Sequence, residues 1–267
     1  MQISRFLPLL VALFGFNQTL SAQSTSNYYL VQNTSTSPTT GAEVESLSVL
    51  KGQGIILDDD LPHEGALFLI DYTHTANNGK PVSTVIRQTD KAGNVLVVEE
   101  TVYNSQGKFN RYSIQQNQID ANGIVEKVGD AVRLTWNDSE SQTVNSEAGG
   151  DNLVTSGSLL AYMNTFIDEL KSGKTLEVNL AIPERGSCYS FDIHPRMNAK
   201  SSAVTDLGVT ISLSNFFLRK LITPIKMTFQ NSPEGYRPLS IVAPAAVRKK
   251  VGNTLQKFTA RIEYPRQ

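Results

Sequence analysis

Residues 94–115 read NVLVVEETVYNSQGKFNRYSIQ. Two runs rich in β-branched and aromatic side chains flank Asn104-Ser105-Gln106-Gly107. Asparagine bonds to its own backbone and glycine takes a positive φ at no steric cost, so these four residues can reverse the chain tightly. A link this short joins antiparallel strands, because a parallel pair needs a crossover of about a dozen residues or more. The stretch therefore reads as a β-hairpin.

The same alternation of run and turn extends both ways. Upstream lie 66–72 (ALFLIDY) and 81–88 (PVSTVIRQ); downstream lie 123–128 (GIVEKV) and 131–136 (AVRLTW). Asp90-Lys91-Ala92-Gly93, Asp120-Ala121-Asn122-Gly123 and Gly129-Asp130 separate them. Short strands spaced by such turns predict an antiparallel meander. One helix interrupts it. Leu159, Leu160, Met163, Phe166, Ile167 and Leu170 form one apolar face at helical period. Ser156 or Ser158 is placed to cap this helix, about 157–171, and Gly173 to end it. Alternation resumes at Leu176, Val178, Leu180 and Ile182, with Glu177, Asn179 and Ala181 on a wet face. Tyr189–Phe191–Ile193, Val209–Ile211–Leu213, Ile225–Met227–Phe229, 238–242 and Phe258–Ala260–Ile262–Tyr264 follow the same rule. The expected fold is mostly β: a long curved antiparallel sheet or open half-barrel, with the helix on its concave side or at one end.

The N-terminus reads separately. Arg5 precedes the apolar run 6–16 (FLPLLVALFGF), and Leu20-Ser21-Ala22 offers a small-residue cleavage site. This is the order of a secretory signal peptide, too short to remain as a membrane span. The expected organisation is a leader over 1–22, a mobile Ser/Thr/Asn-rich segment over 23–46 and one β domain over 47–267. The expected destination is the periplasm or the exterior, after cleavage near Ala22.

Of the 267 residues, 40% are apolar and 18% charged, enough to build a core. The formal charge of −1 gives no electrostatic footprint for nucleic acid. No later segment is long and apolar enough for a transmembrane helix. Cys188 is the only cysteine, so no intramolecular disulfide can form, and it reads as a small core residue.

Catalytic and metal motifs are weak throughout. Asp58-Asp59-Asp60-Leu61-Pro62-His63-Glu64 lacks EF-hand register and zincin spacing, and reads first as a solvated acidic loop. His74 and His194 read as residues at surface strand ends, although a triad assembled in space stays open. Gly52-Gln53-Gly54 starts a dinucleotide fingerprint that Leu57 does not finish. Arg248-Lys249-Lys250 reads as a solvated edge. The residues thus imply no catalytic set, no metal and no cofactor. The stretch 215–229 (NFFLRKLITPIKMTF) reads as ordinary core or as an apolar lip on a ligand cavity. In the second reading Arg219 and Lys220 face an anionic headgroup.

The order of these elements, with VRLTW at 132–136, GKTLEVNLAIP at 173–183 after the helix and PIKMTF at 224–229 before a hairpin, resembles a widespread group of uncharacterised secreted or periplasmic bacterial proteins. The layout is also similar to the half-barrel of periplasmic lipoprotein carriers. That likeness implies a curved sheet wrapping an apolar ligand beneath a helical lid, and supplies no catalytic residue. The expected function is non-catalytic binding or carriage of a hydrophobic ligand such as lipid, lined or covered by Leu159, Met163, Phe166, Phe216 and Phe217, with Arg219 beside them. The alternatives are a secreted hydrolase using 58–64 and an envelope scaffold or assembly factor presenting a sheet edge.

Overall fold

A computed structural model describes residues 46–56, 67–196, 206–219, 222–232 and 235–266. The leader, the segment up to residue 45 and the acidic stretch 58–64 lie outside these. The first wing of the fold is a meander of β1 (Ser46–Ile56), β2 (Phe68–Asn77), β3 (Lys80–Thr89), β4 (Val95–Tyr103), β5 (Phe109–Gln116), β6 (Ala121–Val128), β7 (Ala131–Asn137) and β8 (Gln142–Ala148). The short β9 (Leu153–Val154) leads into helices α1 (Leu159–Thr165) and α2 (Ile167–Lys171). The second wing holds β10 (Leu176–Ile182), β11 (Ser187–Arg196), β12 (Asp206–Leu213), the one-turn helix α3 (Phe216–Arg219), β13 (Ile225–Ser232) and β14 (Gly235–Pro244). The small hairpin β15 (Lys249–Val251) and β16 (Thr254–Gln256) then precedes β17 (Thr259–Glu263).

Fifteen strands form one sheet in the order β8-β7-β6-β5-β4-β3-β2-β1-β17-β14-β13-β12-β11-β10-β9. The expected curved antiparallel sheet is therefore present, and it does not close into a barrel. The meander runs outward from β1, and β17 returns to the middle of the sheet to pair with both β1 and β14. The 2-residue turn between β2 and β3 uses Asn78 and Gly79, both at positive φ (50° and 70°), the geometry that twisted hairpins favour.

Chain length shows how far the sheet curls. β8 and β9 are its two edges, yet only residues 149–152 connect them. Five residue steps reach at most about 18 Å. A flat sheet of this strand number would hold its edges roughly 67 Å apart at about 4.8 Å per strand. The sheet must roll until its edges nearly meet. Side chains of β8 join it to the turn between β10 and β11 and to the start of β11: Asn145 Nδ2 donates to the Gly186 carbonyl at 3.0 Å, and Cys188 N–H donates to Glu147 Oε2 at 2.7 Å.

Rolling tucks one edge inside the curl and creates two cores. The first holds Val178, Phe191, Ile193, Val209, Ile211, Met227 and Phe229 of the second wing, with Ile70, Tyr72 and Ile86 of the first. Leu159, Leu160, Met163 and Leu170 of α1 and α2 cover it. The second holds Val97, Tyr112, Ile114, Val125, Leu134 and Trp136, with Leu153 and Ala181 from the tucked edge. Ala181, expected on a wet face, is thus buried, because β10 is packed on both sides. Gly54 faces the buried Phe68 ring so closely that a Cβ there would stand inside it, so the position has room only for hydrogen.

Candidate functional site

The helical cover is shorter and less regular than one 157–171 helix. It breaks at Phe166 into segments of 7 and 5 residues. Neither serine caps it. Ser158 precedes the first turn but its Oγ accepts the Thr155 N–H at 2.8 Å, and Ser156 points elsewhere. Gly173 does take the expected left-handed conformation at φ 89°. Leu159 and Met163 are buried beneath the cover, and Phe166 packs half-buried at the break with its ring 4.8 Å from that of Tyr162.

The structure does not bring the other expected residues to that place. Phe216 and Phe217 on α3 are 65% and 82% exposed, with rings edge to face at 5.9 Å. Arg219 donates through Nε to the Leu213 carbonyl at 2.8 Å and through Nη2 to Asp192 Oδ2 at 2.7 Å. Asp192 alternates with the core residues Phe191 and Ile193, so it stands on the opposite face of β11. The Arg219 guanidinium is thereby committed away from the helix-covered core. Lys220 lies outside the described residues.

A polar row crosses the inner face where the two cores meet. Register places Thr84, Thr101, Tyr112 and Val125 side by side across β3–β6, with Ile86, Glu99 and Ile114 in the adjoining row. Glu99 is buried, and its Oε2 accepts hydrogen bonds from Tyr112 Oη at 2.9 Å and from Ser156 Oγ. Those two hydroxyls lie 2.9 Å apart. Burial pushes the Glu99 carboxyl above its ordinary range, against the two bonds that favour the anion. Burial and the Glu99 charge hold the Tyr112 phenol well above its own. Thr84 Oγ1 bonds His74 Nδ1 at 3.1 Å and lies 3.4 Å from Tyr103 Oη, whose pKa burial raises to about 12. His74 is not at a strand end but within β2, and burial lowers its pKa and keeps it neutral. Thr101 is fully buried and its Oγ1 has no hydrogen-bond partner among the described residues.

Sequence reasoning passed over Glu99, Tyr112 and Ser156. A signal was present: Glu99 and Glu100 are consecutive in a strand, so one of them must point inward.

The remaining candidates have structural partners. His194 lies 3.7 Å from Asp192 through Nε2 and 3.2 Å from Thr175 Oγ1 through Nδ1. The nearby Ser214 bonds the Asp192 carboxylate rather than the imidazole, so this is not the relay of a nucleophilic triad. Cys188 is half-buried against the second core; burial and the Glu147 carboxylate push its thiol up to about 12, away from nucleophilic reactivity. Arg248 is buried rather than solvated, because its guanidinium meets Glu184 at 3.3 Å and its backbone bonds Gln118. Among the described residues no group of acidic, His and Cys side chains is arranged to hold a metal ion, and no helix is long and apolar enough to cross a membrane.

The site and sheet together define an open, rolled antiparallel sheet with a helical cover over one of its two cores. Comparison with protein-family models, curated proteins and solved structures finds no match for this chain.

Proposed function

We propose that the chain is an exported envelope protein that binds a hydrophobic ligand, such as lipid, without catalysing a reaction on it. One observation carries this reading: a broad apolar sheet face is covered by a broken helix rather than by a second sheet. Helices of 7 and 5 residues are too short to persist alone, since isolated helices below about 12–15 residues are marginal in water. The cover therefore keeps its shape only by packing Leu159, Leu160, Met163 and Leu170 on the sheet. An acyl chain offers equivalent apolar surface to Val178, Ile193, Val209, Ile211 and Phe229 and can take the helix's place. The exposed Phe216–Phe217 pair supplies an apolar contact at the surface for approach to a lipid source.

Native mass spectrometry of the protein purified from its own host tests this. The expected spectrum contains a species heavier by the mass of one or more lipids, released by organic extraction. Repeated recovery of unliganded protein, with no uptake from mixed lipid micelles, overturns the reading; recovery with a stoichiometric protein partner instead moves it to the scaffold alternative.

A further inference from the structure

We propose that the inner polar cluster of Glu99, Thr101 and Tyr112, spanning two adjoining rows, is a headgroup subsite selective for an uncharged amphiphile bearing a hydroxyl donor, such as a monoacylglycerol, over an anionic one. The inference rests on the lipid-binding reading above and adds the class of ligand. The row adjoins the helix-covered core: Tyr72 and Ile86, which belong to that core, are in register with each other, and Ile86 with Glu99. Ser156 lies three residues before Leu159, so withdrawing the cover also withdraws the Ser156 hydroxyl from Glu99 and Tyr112. One movement therefore exposes an apolar face and leaves the hydrogen-bonded Glu99–Tyr112 pair without its third hydroxyl.

The Ser156 Oγ marks what the subsite accepts. It donates to a carboxylate, as an alcohol of a glycerol headgroup would. Thr101 Oγ1, buried and without a hydrogen-bond partner among the described residues, adds a second hydroxyl beside Gly157, where a Cβ would lie 2.5 Å from it. Among the described residues no basic side chain pairs with the Glu99 carboxyl. Arg248 is the one buried basic side chain among the described residues, and it is spent on Glu184 beyond the second core. Burial disfavours the charged form of His74, at the end of the row. Arg219 is held by Asp192 on the other face. An anionic headgroup beside Glu99 would set two acidic groups in one dry space that cannot hold both charges, so it is disfavoured electrostatically as well as by the loss of a donated hydrogen bond.

Equilibrium dialysis of the full chain against monopalmitoylglycerol and against palmitate, each below its micelle concentration at pH 7.5, tests the subsite. The wild type is expected to bind the monoacylglycerol at least tenfold more tightly. Glu99→Gln is expected to shrink that ratio to threefold or less, chiefly by admitting palmitate. Tyr112→Phe, which removes a hydroxyl and no charge, is expected to weaken the monoacylglycerol severalfold and leave palmitate unchanged; it serves as the second variant should Glu99→Gln not fold. Palmitate bound as tightly as the monoacylglycerol by the wild type overturns the subsite and leaves the carrier reading standing, as does an undiminished ratio in a folded Glu99→Gln protein. Binding of neither probe overturns the carrier reading and the subsite with it.

Discussion

Glu99 is the one buried acidic side chain among the described residues. Its carboxyl is buried between β4, β5 and the turn before α1, and the groups facing it are the hydroxyls of Tyr112 and Ser156. Tyr264 is also near enough for the Glu99 charge to raise its pKa further, beyond the effect of burial. Because burial raises the folded-state pKa of Glu99, the folded chain holds this proton more tightly than the unfolded chain. Its contribution to stability is fully present below the ordinary glutamate value of about 4.3 and is lost as pH rises through the folded value. Between those limits the loss amounts to at most about 1.4 kcal/mol per pH unit. Glu99→Gln keeps an acceptor for Tyr112 and Ser156 and removes the ionisation. The Tm of this variant, relative to wild type, should therefore climb as pH rises above about 4.3 and level off once pH has passed the folded value. A difference independent of pH would show that Glu99 ionises in the folded protein as easily as in the unfolded one.

At the scale of elements, the strands with alternating apolar positions were legible and those without were not. β10 follows the pattern Leu176-Glu177-Val178 and falls within the expected run, and β3 to β7 fall within a residue or two of theirs, whereas β2 runs on to Asn77, five residues past the expected end at Tyr72. β8, QTVNSEA, has one large apolar residue, and nearly all its residues are exposed. It is ordered by pairing with β7 and by the bonds of Asn145 and Glu147 across the gap, contacts that no local pattern announces. β1 was missed for a related reason: two of its inward positions are Gly52 and Gly54, chosen for the rings they admit rather than for their own apolar surface. The helix was legible as an apolar face, but its break was not. Phe166 leaves helical geometry with φ −110° and ψ 24° while its ring packs on Tyr162. The site was half legible: Leu159 and Met163 follow from period, whereas Glu99 becomes visible only when strand register shows which glutamate turns inward. The cover should also be the least stable part of the described fold. Hydrogen exchange followed by mass spectrometry should show amides of 159–171 exchanging well before those of β12 and β13 under native conditions. Met163→Ala, which empties a fully buried site, should cost about 2–5 kcal/mol and speed that exchange further. Equal protection of cover and strands would mean that the helix leaves only with global unfolding, and a ligand could not displace it.

Across the whole molecule, the strand order makes the last structured segment the keystone of the sheet. β17 is the C-terminal strand in sequence but central in space, with β1 on one side and β14 on the other. Without it the first wing, β1 to β8, and the second, β9 to β14, share no backbone ladder. They would touch only through the inner cores, the covering helices and the side-chain bridges at the seam. The segment also carries core mass: Phe258, Ala260 and Tyr264 are buried, and Ile262 packs against both cores. Burying a large apolar side chain is worth about 1.5–3 kcal/mol. Phe258 and Tyr264, with the partly buried Ile262, together therefore contribute an amount comparable with the lower end of the roughly 5–15 kcal/mol that holds a typical domain folded. Ending the chain after Lys257 should accordingly abolish the cooperative urea transition followed by circular dichroism, although only ten of the 267 residues are lost. Replacing 249–256 by a short Gly/Ser link should leave one transition with a midpoint near that of wild type, because β15 and β16 pair only with each other. If the truncated chain instead unfolded in two separate steps, each wing would be an independent folding unit. The roll of the sheet would then be a docking of two pieces rather than the consequence of a single ladder joined at its centre.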